Sequence, residues 1–326
     1  MAANVESMFF VGRETPWHGL GTSIEYAPTS KDAIIYAGLD WKVVQRNVYA
    51  NPLEEKLDEL NLKMDSMLKI KSYKANFRET DMQFLGMVTD RYRIVQNIEA
   101  FEFTDALLGE GVKYETAGSL ASGKRIWLLG KMENRIITGE NVAPYLVFTN
   151  SHDGKGAINV AITPVRVVCQ NTLNLALKQA ERKWSCVHVG DIKGKLEEAK
   201  RTLINANAYM DELHEEFGEL KLMTLTDDKV DEYINMLIPL SETETSQTKI
   251  RRIEDMRNEL RIRYHEAPDL VDIEKSAYRF VNAVSDFATH TIPFRKTKNF
   301  AENRFMKTID GNALIDKAYT MMKEAV

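Results

Sequence analysis

Residues 151–180 read SHDGKGAINVAITPVRVVCQNTLNLALKQA, and their character changes three times. Ser151 to Gly156 is a polar turn with two glycines. Ala157 to Thr163 then alternates, placing Ile158, Val160 and Ile162 on one face of a strand. Pro164 is expected to interrupt that strand before Val165-Arg166-Val167-Val168-Cys169. Asn171 or Thr172 caps a helix carrying Leu173, Leu175, Leu177 and Ala180. Polar and basic groups (His152, Lys155, Arg166, Gln170, Asn171) thus lie inside apolar structure. Buried groups of that kind need partners, so the stretch reads either as a hydrogen-bonded hub or as a ligand surface.

Upstream, the strand signals are close together. Trp41 to Tyr49 reads as a strand, and Tyr73–Glu79 pairs with Phe84–Asp90 around Thr80-Asp81. Residues 112–120 and 124–131 flank Ala121-Ser122-Gly123, a hairpin connector, and residues 144–150 and 156–163 flank the His152 turn. Residues 7–28, with Gly12, Pro16, Gly19, Gly21 and Pro28, read as irregular. One helix is expected over residues 99–108. Downstream of residue 190 helical periodicity dominates, over residues 191–220, 227–237, 248–264, 272–289 and 312–322. Closely spaced strands with few helical crossovers predict an α+β fold: an antiparallel-rich sheet domain over 1–190, then a mainly helical region over 191–326.

Composition narrows the function classes. Net charge is −5, with 22 basic and 22 acidic side chains in residues 1–190 and 21 and 26 in the rest. A protein that coats duplex DNA carries a broad positive field, so any nucleic-acid contact here is a local surface. The chain lacks a long apolar run and opens without a basic-then-apolar leader, and Cys169 and Cys186 are its two cysteines. No membrane partner and a cytoplasmic location are the expectations.

Four segments together resemble one family. They are residues 15–21 (TPWHGLG), 85–97 (LGMVTDRYRIVQN), 149–154 (TNSHDG) and 166–173 (RVVCQNTL). They are similar to the phage/plasmid-like protein family, a domain of unknown function found in phages, prophages and plasmids. The resemblance implies a mobile-element origin and supplies no reaction.

Arg91-Tyr92-Arg93 combines two guanidinium forks, suited to phosphate, with an aromatic face suited to an unpaired base. The plainer reading is two surface arginines and a core tyrosine, since on a strand Tyr92 points away from both. Lys155 and Arg166 flank the strand after the His152 turn, where both can meet a backbone phosphate if the strand lines a groove, and Asn171 follows on the same candidate nucleic-acid surface; the plainer reading pairs Arg166 with a buried carboxylate. Arg295, Lys296 and Lys298 lie among Phe294, Phe300 and Phe305, a composition that fits single strands or an inter-subunit arm. Residues 249–263 mix bases with Glu254, Asp255 and Glu259 at helical spacing and read as a solvated, salt-bridged face. In the N-terminal arm Trp17 reads as a core plug and His18 as held by the glycine-rich backbone around it, the alternative being a ligand-facing or subunit-bridging arm.

Catalytic patterns are weak. Cys169 with His18, His152 or His188 lacks a nucleophile motif, Cys186-Val187-His188 lacks zinc-ligand spacing, and no phosphate-binding or dinucleotide fingerprint is present. Neither metal nor cofactor is called for. The expectation is a non-enzymatic nucleic-acid-binding protein of phage or plasmid, acting on single-stranded DNA in binding or annealing. Its outline is similar to phage single-strand annealing proteins, and that analogy implies homo-oligomers. The alternatives are an accessory or host-interaction protein using the helical half, and an enzyme acting on nucleotide or nucleic acid around His152, Asp153 and Cys169.

Overall fold

A computed structural model describes residues 5–12, 21–52, 67–109, 113–166, 183–203, 206–291 and 312–325. The fold is α+β, with antiparallel-rich sheets in the N-terminal half and helices in the C-terminal half. The strands are β1 Val5–Val11, β2 Thr22–Ile24, β3 Val43–Ala50, β4 Leu68–Arg78, β5 Phe84–Thr89, β6 Lys113–Leu120, β7 Arg125–Lys131, β8 Arg135–Ile137, β9 Glu140–Ser151, β10 Ile158–Arg166 and β11 Lys183–Cys186. The helices are α1 Ser30–Tyr36, α2 Asn97–Leu108, α3 Ile192–Leu203, α4 Ala206–Leu222, α5 Asp227–Leu237, α6 Gln247–Glu266, α7 Ala277–His290 and α8 Ala313–Glu324. One sheet runs β11-β10-β9-β7-β6-β1-β2, with β8 paired to β9, and a second runs β3-β4-β5.

Two compact units result. The first comprises Met1–Lys131, Leu146–Ala161 and Lys183–Thr202; the second comprises Met132–Tyr145, Ile162–Arg182 and Leu203–Val326.

In the first unit, β6 and β7 form the hairpin expected around Ala121-Ser122-Gly123, and all three turn residues take left-handed φ of 53°, 59° and 78°. Helices α1 and α2 pack on that hairpin, with Phe101 against Tyr114 at 5.1 Å. The Tyr114 hydroxyl donates to Asp105 Oδ1 at 2.7 Å, so the buried phenol keeps a partner. The irregular reading of residues 7–28 fails at its start. Strand β1 lies inside the sheet, antiparallel to β6 and parallel to β2. Its adjacent Met8 and Phe9 are both buried, so both faces are covered and no alternation marks the strand. Pro164 does not end β10 either. Its partner β11 pairs only over Ile158–Ala161, so no ladder bond to β11 is asked of the proline.

The second unit is built around α7, which packs against α4, α6 and α8 and buries nearly every residue from Ala277 to Phe287. The helix starts later than residue 272 because Ser276 caps it, its Oγ accepting from the Arg279 N–H at 3.3 Å. Arg279 is buried yet satisfied: its guanidinium donates to the carbonyls of Tyr264 (2.7 Å), Ile273 (2.8 Å) and His265 (3.0 Å). It thereby ties the end of α6 to the start of α7.

Candidate functional site

Two of the four resembling segments meet in the first unit. The turn between β9 and β10 lies against β5 at a distance only glycine allows. A Cβ on Gly86 would fall 2.5 Å from the Asp153 carbonyl oxygen, and one on Gly154 would fall 2.9 Å from Val88 Cγ1. His152 is fully buried beneath this contact. Its backbone carbonyl accepts from Asn76 Nδ2 at 2.8 Å, and its ring stands edge-on to Trp41 at 5.6 Å.

The hydrogen bonds assign the ring protons. Asn97 Nδ2 donates to the carbonyls of Leu39 (3.0 Å) and Trp41 (3.3 Å), so its Oδ1 is left to accept. His152 Nε2, 2.9 Å away, must therefore carry the hydrogen. His188 Nδ1 likewise donates to the Arg93 carbonyl at 2.9 Å. His152 Nδ1, His188 Nε2 and Asn76 Oδ1 remain as buried acceptors without a donor among the described residues. Burial, then the charge of His188, pushes the His152 imidazole down to about 3 against a smaller opposing pull from Asp153. Burial also lowers His188. His152 is therefore neutral over the ordinary pH range and His188 is biased the same way, which suits a packed hub and not a proton shuttle.

Tyr92 belongs to the hub. It is 6% exposed, its hydroxyl donates to the Ser151 carbonyl at 2.6 Å, and its ring stacks on His188 at 4.5 Å. Arg91 and Arg93 on either side are exposed. The alternation thus gives two outward guanidinium groups around an inward ring. Lys155 is exposed, and its backbone N–H donates to Asp153 Oδ1 at 2.8 Å. Arg166 ends β10, and its side chain lies outside the described residues. Asn171, Arg295, Lys296 and Lys298 also lie outside them, as do Trp17, His18 and Cys169.

The hub covers the inner face of β3-β4-β5, where Asn76 and Gly86 sit opposite one another. The outer face holds residues the sequence reading did not single out. Ala75 lies between Arg46 on β3 and Met87 on β5, and Phe77 lies between Val44 and Phe84. Phe77 and Phe84 meet edge-to-face at 5.6 Å. The β3–β4 register passes from Asn47↔Lys74 to Val48↔Ile70, so Lys71, Ser72 and Tyr73 bow out of that ladder and all three are exposed.

The three strands carry Arg46, Lys69, Lys71, Lys74 and Arg78, and no aspartate or glutamate. Arg78 is paired, to Asp81 and to Glu6 at 2.7 Å each. The other four have no carboxylate partner among the described residues. The acid-free run was readable in the sequence only once the strand ends were known.

The second unit offers different chemistry. A cavity of about 410 Å³ is lined by the carboxylates of Glu140, Asp269, Asp272 and Glu274, by Lys221 and by four uncharged residues. Among the described residues no group of three histidine, cysteine, aspartate or glutamate side chains is arranged to hold a metal, and no helix is long and apolar enough to cross a membrane.

The family described as Domain of unknown function (DUF932) matches residues 84–308, more than half of the chain. The match opens at the first residue of β5, so it takes in Arg91, Arg93, the His152 turn and His188, while β3 and β4 precede it. Neither the curated proteins nor the solved structures contain a match.

Proposed function

We propose that the chain, which belongs to the DUF932 family, is a non-enzymatic nucleic-acid-binding protein of a phage or plasmid, taking single-stranded DNA during replication or recombination. One observation carries the reading: in a chain of net charge −5, β3, β4 and β5 hold no acid and four bases, Arg46, Lys69, Lys71 and Lys74, without a carboxylate partner among the described residues, and Arg91 and Arg93 project just beyond them. Cations left without carboxylates keep their full attraction for phosphate and release counterions on binding. Lys155, exposed on the turn that abuts β5, adds to the same charge. The buried His152, held by Asn97, argues against the enzyme alternative, because no substrate reaches its ring in this arrangement.

The test is fluorescence anisotropy of labelled oligothymidylate against the full chain over a salt series. Binding at low salt is expected, with Arg91→Gln and Arg93→Gln each weakening it and flattening the log–log salt slope by about 0.7. Light scattering on the same samples reads the oligomeric state. A wild-type chain that binds no strand at low salt sinks the proposal and moves the host-interaction role of the helical half to first place.

A further inference from the structure

We infer that the outer face of β3-β4-β5 is a platform on which unpaired bases stack, with Tyr73 and Phe84 as its rings and Arg46, Lys71 and Arg91 as its phosphate contacts. The inference rests on the nucleic-acid reading above and names where and how the strand would lie.

Three observations converge on that face. First, its apolar side chains are open: Tyr73 is 47% exposed, Phe84 43% and Met87 46%. They share one surface, because Tyr73, Ala75 and Phe77 alternate along β4 and pair across with Thr89, Met87 and Phe84 on β5. Second, the relief suits a flat ligand. Ala75, 6% exposed, forms a low floor between Arg46 and Met87, with ring side chains one step along β4 on either side. Third, the charge lies beside the rings. Lys71 sits in the same outward bow as Tyr73. Arg91 follows Thr89, the residue opposite Tyr73, and the adjacent Asp90 N–H donates to the Ser72 carbonyl at 3.1 Å.

A strand of nucleic acid needs both elements. Aromatic faces take bases without regard to sequence, and cations along the same path neutralise the backbone. A duplex hides its base faces and could use only the cations. The face is therefore fitted to unpaired nucleotides, and the hub beneath it acts as the rigid support.

The experiment separates this platform from the broader reading. Tyr73→Ala, Phe84→Ala, Tyr73→Phe and Arg91→Gln chains are titrated with labelled oligothymidylate and with an abasic strand of equal phosphate count. Each alanine variant is expected to bind oligothymidylate on the order of tenfold more weakly at unchanged melting temperature, while Tyr73→Phe stays near wild type. The wild-type chain is expected to bind the abasic strand less tightly than oligothymidylate by at least that factor. Equal wild-type affinity for the two strands overturns the platform, and so do alanine variants that bind like wild type. If Arg91→Gln still weakens binding in those cases, the phosphate reading survives. Should an alanine variant melt early, the abasic comparison on the wild-type chain decides alone. A wild-type chain that binds neither strand overturns both proposals.

Discussion

Helix α6 and the β3-β4-β5 sheet carry comparable numbers of basic side chains, and their surroundings differ. On α6, Arg257 pairs with Glu254 (3.0 Å), Arg261 with Asp231 (2.6 Å), Lys249 with Glu244 (3.1 Å), and Arg263 with both Glu259 (2.9 Å) and Asp286. On the sheet, Arg78 is paired, and Arg46, Lys69, Lys71 and Lys74 face no carboxylate among the described residues. The count of cations is therefore a poor guide to an anion-binding surface. What separates the two regions is whether the cations are already neutralised by their own fold. A cation held at close range by carboxylates contributes to stability, whereas an unpaired one on the surface contributes almost nothing to it and remains available to a ligand.

The largest expected contrast is in acid. His152 is held neutral in the native hub, whereas in the unfolded chain it takes a proton below its ordinary value of about 6.5. Its contribution is complete above that pH, falls as pH drops and stops falling near the native value of about 3. At pH 4.5 the loss is roughly 2–3 kcal/mol, and His188 adds in the same direction. In the second unit Asp286 behaves differently. Burial raises its carboxyl, bonds from His290 and Arg263 outweigh that and hold it below the ordinary carboxylate range, so its contribution is lost only as pH falls below about 4. Trp41, Trp127 and Trp184, the tryptophans among the described residues, all lie in the first unit. Urea unfolding followed by tryptophan fluorescence should lose midpoint between pH 6.5 and 4.5, ahead of the helical circular dichroism signal. A fluorescence midpoint that stays flat over that window breaks the argument.

Next in size is Arg263→Gln. It leaves Glu259 and the part-buried Asp286 with weakened partners and is expected to destabilise by about 2 kcal/mol, with oligonucleotide affinity unchanged. Thermal melts and anisotropy on one preparation check both halves. A loss of affinity without a loss of stability would place α6 in the interface.

The smallest expected stability effect is Arg46→Gln, within about 0.5 kcal/mol, because its only described polar contact is a 3.4 Å bond to the Gln45 carbonyl. Its binding should fall measurably. If its melting temperature drops as far as that of Arg263→Gln, the distinction between paired and unpaired cations fails.

Local chemistry made much of this legible. The hairpins announced themselves through Ala121-Ser122-Gly123 and through Thr80-Asp81, and the inward Tyr92 followed from simple alternation. Strand β1 was illegible because a strand covered on both faces has no period to read. The hub was half-legible. His152 stood out as a polar group that needed partners; Asn76, 76 residues away, carried no local signal, and Asn97, at the end of the 85–97 segment, had nothing local to tie it to a ring 55 residues on. The outer sheet face was missed because Arg46, Tyr73 and Phe84 share it only through pairing between strands, and composition averages them with the acids elsewhere.

Gln96 sits just ahead of α2, where its backbone N–H donates to Glu99 Oε2 at 2.7 Å. Its side-chain amide accepts from the Val43 N–H and donates to the Val43 carbonyl, both at 2.9 Å. These are the two bonds a neighbouring strand would make at that residue of edge strand β3. An amide side chain thus occupies the position of a fourth strand, and the sheet stops at three, on the order of 10 Å from β3 to β5. Sheet-to-sheet growth from one copy of the chain to the next cannot begin at Val43. At that position the block against edge-to-edge pairing is tied to the same residue that opens α2.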